Sequence, residues 1–425
     1  MLKKLTIDNY RSFSDTTIEF GQLNALIGLN NAGKSNLIDA FEFLETAIFK
    51  NVTTAINEKG GLKNIRNYLS DSQTITFRME MDLEDVAWHK YDLMLAEYNL
   101  IYSLIITADG SINEEFYVQG KMKSTRIHES DVVSMDTYVG NADRHPMFFA
   151  SVNNAESYLI ELHKKRYEKV ELSINIVNNA TRYRFDGKKI VEFFELSKNG
   201  FPDVVNIRPN PRFIFRKKSL FASFDLIPYV MKQTITYGQE KLKKEGTNLF
   251  DYLSALQNNN PEEFEEIATS LYGEVEGLRD IDIDLSTGVP ELMFTEHFTE
   301  DKQLSFRKVS DGTIQFIALM SAICSGHESI ILLEEPERQI HLKVIATLID
   351  KMRSKTEKQF LMTSHSIEVL NQVELKELIF IYRDKHGFTK AMRGSDIPNI
   401  KKLMSIYKGD IARIIRLGIL DRIDG

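Results

Sequence analysis

The sequence holds one cysteine, Cys324, in 425 residues. A lone thiol excludes an internal disulfide and any cysteine-rich zinc module. Long apolar runs are missing too. The longest nearly uncharged stretch, "VSDGTIQFIALMSAICSG" with Asp311 its one charge, is shorter than the roughly 20 apolar residues a membrane span needs. The N-terminal "MLKKLTIDNYRSF" alternates apolar and polar residues from the start and has no signal-peptide core. These absences predict a soluble, cytoplasmic protein with no membrane partner. There is no internal repeat and no sustained heptad, which argues against a coiled-coil arm. No histidine pair has metal-ligand spacing, and no nucleophile elbow occurs. The net charge of −8 excludes a polycation that coats nucleic acid, though a local basic patch stays compatible with it.

What remains is an ordinary globular composition, 43% hydrophobic and 27% charged, long enough for two or three domains. Leu5, Ile7 and Tyr10 predict a first strand, and Ile18 and Phe20 a second. "LNALIG" predicts a buried strand, followed by a helix on which Leu37, Ile38, Phe41, Leu44 and Ile48 share a face. Residues 50–70, with Gly60-Gly61, read as loop. "TITFRMEMDL" alternates like a strand, and residues 98–120 form a hairpin turning at Asp109-Gly110. A further hairpin is expected from Val170, then two short helices from Asn248, the second opened by Pro261. A helix from Gly312 to Cys324, the strand "SIILLEEPE", the helix "HLKVIATLIDKM" and the strand "FLMTSH" follow.

Between the third strand and its helix lies "GLNNAGKS", residues 28–35. Gly28, Gly33, Lys34 and Ser35 fit the Walker A pattern. Its glycines let backbone N–H groups converge on phosphate oxygens, the lysine reaches the β- and γ-phosphates, and the serine hydroxyl holds Mg²⁺. The positive N-terminal end of the helix adds to the attraction. "SIILLEEPE" supplies what a Walker B strand supplies. Glu334 is placed to hold the magnesium's water shell and Glu335 to polarise an attacking water. In "VSDGT", residues 309–313, Ser310 is a natural N-cap and Gly312 permits close backbone approach. That stretch reads equally as a capped helix without a ligand. His365 in "TSHS" suits contact with a γ-phosphate, or a structural role at a strand end.

The order of these motifs along the chain resembles the ABC-type ATPases of the SMC, RecF and OLD lineage. It is most similar to the compact bacterial ATPase subunits with "NFRSF"-like starts, "NNSGKS"-like loops and "SDGT" signatures. The likeness covers about residues 1–80 and 235–400, "GTNLFDYLSAL" included. It implies an α/β P-loop NTPase, an ABC-type head with an inserted α+β domain. The boundaries expected are 1–85 for the first half of the head, 86–235 for the insert, 236–400 for the second half and 401–425 for a short tail.

Carried over residue by residue, the resemblance implies that Arg11 and Ser12 of "NYRSF" approach the nucleotide. Asn30, Asn31, Ala32 and Asn36 complete the phosphate loop. Ser310, Asp311 and Gly312 form the signature, which in such proteins touches ATP bound to the opposite subunit. Lys34, Glu335 and His365 are the implied catalytic set, and Ser35 and Glu334 the implied Mg²⁺ ligands. Three departures stand out. Glu334 replaces the usual Asp, "VSDGT" is not "LSGGQ", and "IHL" gives His341 without the proline that often follows. The implied assembly is a homodimer, or a higher homo-oligomer, with ATP sandwiched between copies.

The insert carries "IRPNPRFIFRKKSLF", residues 207–221, in which Arg208, Arg212, Arg216, Lys217 and Lys218 interleave with Phe213, Phe215 and Phe221. The pattern suits phosphate contacts and base stacking, and equally a half-buried strand with a basic outer face. OLD-type relatives carry a Toprim nuclease after the ATPase, for which the residues beyond "FLMTSH" leave little room. The resemblance therefore implies an ATPase that senses or clamps nucleic acid or a phage component and controls a separate effector, such as a nuclease, in antiviral defence. A RecF-like repair clamp, a nuclease with its metal site in the insert, and a nucleotide-gated scaffold with little hydrolysis stand as alternatives.

Overall fold

A computed structural model describes residues 1–83, 86–88, 93–124, 132–133, 148–151, 170–177, 180–186, 205–207, 220–233, 241–275, 277–284, 286, 291–297, 303–324, 328–407 and 413–414. In chain order these begin with β1 (Leu2–Asp8), β2 (Thr16–Glu19), β3 (Leu23–Ile27), α1 (Lys34–Phe49), α2 (Val52–Glu58), α3 (Leu62–Ile65) and β4 (Thr74–Leu83). Next come β5 (Val86–Trp88), β6 (Leu93–Thr107), β7 (Ile112–Ser124), β8 (Val132–Val133), β9 (Phe148–Ser151), β10 (Val170–Val177), β11 (Ala180–Asp186) and β12 (Val205–Ile207). Then follow β13 (Phe221–Phe224), α4 (Pro228–Gln233), α5 (Leu249–Asn259), α6 (Pro261–Tyr272), β14 (Leu278–Asp284), β15 (Glu291–Glu296) and β16 (Gln303–Ser305). The last are α7 (Asp311–Cys324), β17 (Ile330–Glu334), α8 (Leu342–Ser354), β18 (Gln359–Ser364), α9 (Ile367–Gln372), β19 (Leu378–Arg383), β20 (Thr389–Arg393) and α10 (Ile400–Ile406).

By their internal contacts the residues fall into two compact units. One comprises Met1–Phe20 and Phe43–Lys218, the other Gly21–Glu42 and Ser219–Gly425. This division follows the sheets rather than positions 85, 235 and 400.

The first unit is built on an eight-stranded sheet with the order β11-β10-β7-β6-β4-β1-β2, β5 pairing with β6. Its strands are antiparallel, and strict alternation sets which face is buried. In β4, Ile75, Phe77, Met79 and Met81 are buried, with Thr76, Arg78 and Glu80 between them at least partly exposed. Tyr10, Phe43 and Phe77 close the core, with ring centroids 4.9–5.4 Å apart. The strands of the expected insert therefore extend the sheet begun by β1, β2 and β4.

Residues 50–70 are not the loop their composition suggests. Val52 and Ala55 are buried on α2, and the Asn51 side chain caps that helix by accepting the Thr54 N–H at 2.7 Å. Seven residues are too few for a periodic pattern to show, which is why α2 reads as loop.

The second unit holds a six-stranded sheet ordered β13-β17-β18-β3-β19-β20, parallel except for β20. β3 and β18 are buried throughout, as is β17 up to Leu333, and all three are mostly apolar, with Asn24, Gln359, Thr363 and Ser364 the buried polar exceptions. β18 lies between the phosphate-loop strand β3 and the acidic strand β17, so the carboxyl ends of all three sit side by side. In open α/β sheets, ligands bind at that edge. A separate antiparallel sheet, β14-β15-β16, adds Leu278, Ile281, Leu292 and Phe294 to the core. Ile400 belongs to the same core, as does Ile414 from the expected tail.

Candidate functional site

At the end of β3 the backbone of Gly28 runs so close to β19 that an added Cβ would lie 2.1 Å from the Ile381 carbonyl oxygen. No side chain fits there. Gly33, at φ +115°, and Asn31, at φ +64°, shape the rest of the loop. Two side chains from the neighbouring strands hold it: Arg383 Nε donates to the Asn31 carbonyl at 3.0 Å, and Thr389 Oγ1 to the Ala32 carbonyl at 2.8 Å. Gly28→Ala should therefore act on the fold, costing about 3 kcal/mol as the backbones are forced apart. A denaturant melt checks this, and unchanged stability would mean that β19 yields.

Lys34 is only 7% exposed, and its ammonium donates to the carbonyls of Gly28 at 2.9 Å and Leu29 at 3.0 Å. Burial lowers its pKa, and the nearby Glu335 carboxylate works against that shift. Ser35 is exposed at the start of α1, Asn36 is half-buried beside it, and Asn30 is exposed on the loop. The first turn of α1 bears no carboxylate, so its N-terminal positive end is unopposed from within the helix.

β17 delivers the two glutamates to different places. Glu334 is half-buried, and burial raises its pKa even though Lys244 lies 3.5 Å away. Lys244 pairs more closely with Glu42 on α1, at 2.6 Å. A carboxylate held this way favours a cation. A carboxylate oxygen is the kind of donor that Mg²⁺ accepts.

Glu335 sits at φ +42°, outside the strand, with its N–H donating to the Thr363 carbonyl on β18 at 3.1 Å. Its carboxylate accepts from Arg338 Nε at 2.8 Å, which holds its pKa down. His365 follows β18 and brings Nε2 to 3.9 Å from Glu335 Oε1. Glu337 fixes that corner, accepting from Ser364 Oγ at 2.6 Å and from the His365 N–H at 3.2 Å. Burial and then the Lys34 charge lower the His365 pKa, so the ring is neutral near pH 7.

At the start of α7 the Ser310 hydroxyl accepts the Thr313 N–H at 3.1 Å, the N-cap its sequence suggests. Lys232 on α4 pairs with Asp311 at 2.5 Å and donates to the Val309 carbonyl at 2.7 Å. The close approach that Gly312 permits is to the Gln339 carbonyl, where a Cβ would come within 2.6 Å. α7 is thus packed on the turn that follows Glu335. His341 caps α8 through its ring nitrogen.

Glu335 and His365 face each other at 3.9 Å, and the Lys34 charge acts on both. Arg11 and Ser12 lie in the first unit. Arg11 donates to the Asn64 carbonyl at 2.9 Å, and Ser12 is buried. Arg208, Arg212, Arg216, Lys217 and Lys218 lie outside the described residues. Sequence reasoning missed Arg338, Asp225, Lys244, Glu42 and Glu337. Three of these had a signal: Glu337 and Arg338 follow the acidic pair after Pro336, and Glu42 is two helical turns beyond Ser35.

The model of the family described as "AAA domain, putative AbiEii toxin, Type IV TA system" matches residues 23–371. The chain belongs to that AAA-domain family. For this family member, a comparison with curated proteins gives no match. Among solved structures, an SMC head bound to the C-winged helix domain of ScpA aligns with TM-score 0.51 at 12% identity, over 92% of this chain and 97% of that one. An SMC head from Thermotoga maritima gives 0.42 at 12% identity, over 92% and 98%. One from Pyrococcus furiosus, bound to the C-terminal domain of ScpA, gives 0.46 at 11%, over 96% and 98%. The first speaks to the fold alone, and the other two carry no weight. The AAA-domain protein has an α/β P-loop ATPase fold of the SMC-head type. Among its described residues no helix is long and apolar enough to cross a membrane.

Proposed function

We propose that this chain binds and hydrolyses ATP as a dimeric switch that controls a separate effector. One observation carries the reading: Lys34, Glu335 and His365 converge at the carboxyl ends of β3, β17 and β18. Lys34 and the loop amides bind the β- and γ-phosphates, helped by Asn30, Asn31, Ala32, Gly33 and Asn36. Ser35 and Glu334 would hold Mg²⁺, which supplies charge neutralisation on the phosphate oxygens. Glu335 orients the attacking water and draws off its proton. Neutral His365 hydrogen-bonds the γ-phosphate, so its loss on hydrolysis is felt at β18.

In this reading Ser310, Asp311 and Gly312 complete the site of a second copy. Two head-to-tail copies sandwiching two ATP molecules are the self-complementary arrangement. ATP closes the pair and hydrolysis lets it open. The family description reads "putative AbiEii toxin, Type IV TA system", and this supports a role beside a second protein; defence against phage is part of the same proposal. An effector nuclease, and nucleic acid as the trigger, fit the basic segment of residues 207–221.

The test is phosphate release and solution mass of the purified chain with ATP and Mg²⁺. Ser310→Arg should keep ATP binding within about twofold yet abolish ATP-dependent dimerisation, because an arginine cannot be seated against a partner's phosphates in the space of a serine. Dimerisation that survives this change would remove the signature from the interface.

A further inference from the structure

Arg338 has no part in the reading so far. It stands three residues after Glu335, and its Nε donates to Glu335 Oε2 at 2.8 Å. Its Nη1 donates to Asp225 Oδ1 at 2.9 Å. Asp225 directly follows β13, the edge strand that runs parallel to β17. The guanidinium thus ties the end of one strand to the turn after its neighbour.

The other oxygen of Glu335 is left differently. Oε1 faces His365 Nε2 at 3.9 Å, so one oxygen of the carboxylate is held and the other points to the switch histidine. The turn beneath them is fixed. The Glu335 N–H is committed to β18, and the Gln339 carbonyl, at a residue with φ +62°, presses on Gly312 of the signature helix. Arg338 itself is 46% exposed, so its ion pairs add little to stability. What a planar fork of donors does supply is direction, which a lysine's point charge does not.

We propose that Arg338, anchored by Asp225, is the positioning residue for Glu335, leaving Oε1 as the oxygen that meets the attacking water. The inference rests on the ATP-hydrolysing reading. A base held by a third group is the general arrangement for orienting proton transfer, and misplacement by about 1 Å costs on the order of 100-fold in rate. The next residue, Gln339, is the one whose carbonyl approaches Gly312 of α7.

The experiment compares Arg338→Ala, Arg338→Lys, Asp225→Asn, Glu335→Gln and the double variant Arg338→Ala/Glu335→Gln with the unaltered chain. Phosphate release gives kcat and KM, equilibrium binding of a fluorescent ATP analogue gives affinity, and melting reports folding. Arg338→Ala should lower kcat on the order of 10- to 100-fold, with KM and affinity within about twofold. Arg338→Lys should not restore the rate. Asp225→Asn, which leaves the arginine in place, should show a smaller fall of the same kind. The double variant should be no slower than Glu335→Gln alone, since residues acting as a unit are not additive.

The proposal is overturned if Arg338→Ala keeps or raises kcat, if the loss falls on KM and affinity instead, or if the two losses multiply. Turnover by the unaltered chain with an unchanged Arg338→Ala rate sinks the positioning role alone. An unaltered chain that neither binds nor hydrolyses ATP sinks the functional reading, and this proposal with it.

Discussion

Lys34→Ala should lower ATP affinity on the order of 100-fold or more. The size follows from two losses at one position. A buried ammonium that would bond charged phosphate oxygens is worth several kcal/mol, and each ~1.4 kcal/mol is tenfold in affinity. The second loss lies in the protein. Lys34 Nζ donates to the Gly28 and Leu29 carbonyls, and without it those acceptors lose their side-chain partner at a site only 7% exposed. A buried carbonyl left unbonded costs about 1–3 kcal/mol, so the loop shape itself is at risk. Equilibrium binding of a fluorescent ATP analogue reads the first loss, and thermal melting the second. Affinity lost with an unchanged melting curve assigns Lys34 to the phosphates. Affinity within about twofold of the original would remove "GLNNAGKS" as the nucleotide site.

The titration of His365 bears on the same cluster. Its folded-state pKa is depressed, so the stability it contributes is complete above the ordinary histidine value of ~6.5 and is lost as pH falls through the folded value. Activity that needs the neutral ring should therefore hold through pH 7 and fail only below the usual histidine range.

Much of this site was legible in the sequence because its demands are local. Gly28 and Gly33 are forced by backbone geometry, and the "IILL" of "SIILLEEPE" and the "FLM" of "FLMTSH" are the apolar runs of strands buried on both faces. The Asp109-Gly110 turn likewise declares the hairpin of β6 and β7. What stayed hidden is non-local. Asp225 and Arg338 are 113 positions apart, and Glu42 and Lys244 are 202 apart. No periodicity links such pairs. They meet because β18 is threaded between β3 and β17 and because β13 adds to the edge, an order that local patterns do not encode. The insert misled for a related reason. Hairpins read singly suggest a separate arm, whereas pairing of β4 with β6 makes them one sheet with the N-terminal strands.

Glu335→Gln is the second large effect. Phosphate release should fall about 100-fold or more, the usual contribution of a general base, while ATP affinity stays within a few-fold. Gln keeps the shape of Glu and an oxygen that can accept from Arg338, so the turn has no reason to move. What goes is the charge that draws a proton from water. With hydrolysis stopped, ATP remains bound, and a switch closed by ATP stays closed. The solution mass with ATP and Mg²⁺ should then double, and Ser310→Arg in the same background should prevent it. An undiminished phosphate-release rate would count against Glu335 as the catalytic carboxylate. A mass already doubled without ATP would mean that other surfaces assemble the chain and that ATP rearranges a standing oligomer. A monomer that still binds ATP would mean that the signature helix does not complete a second copy's site.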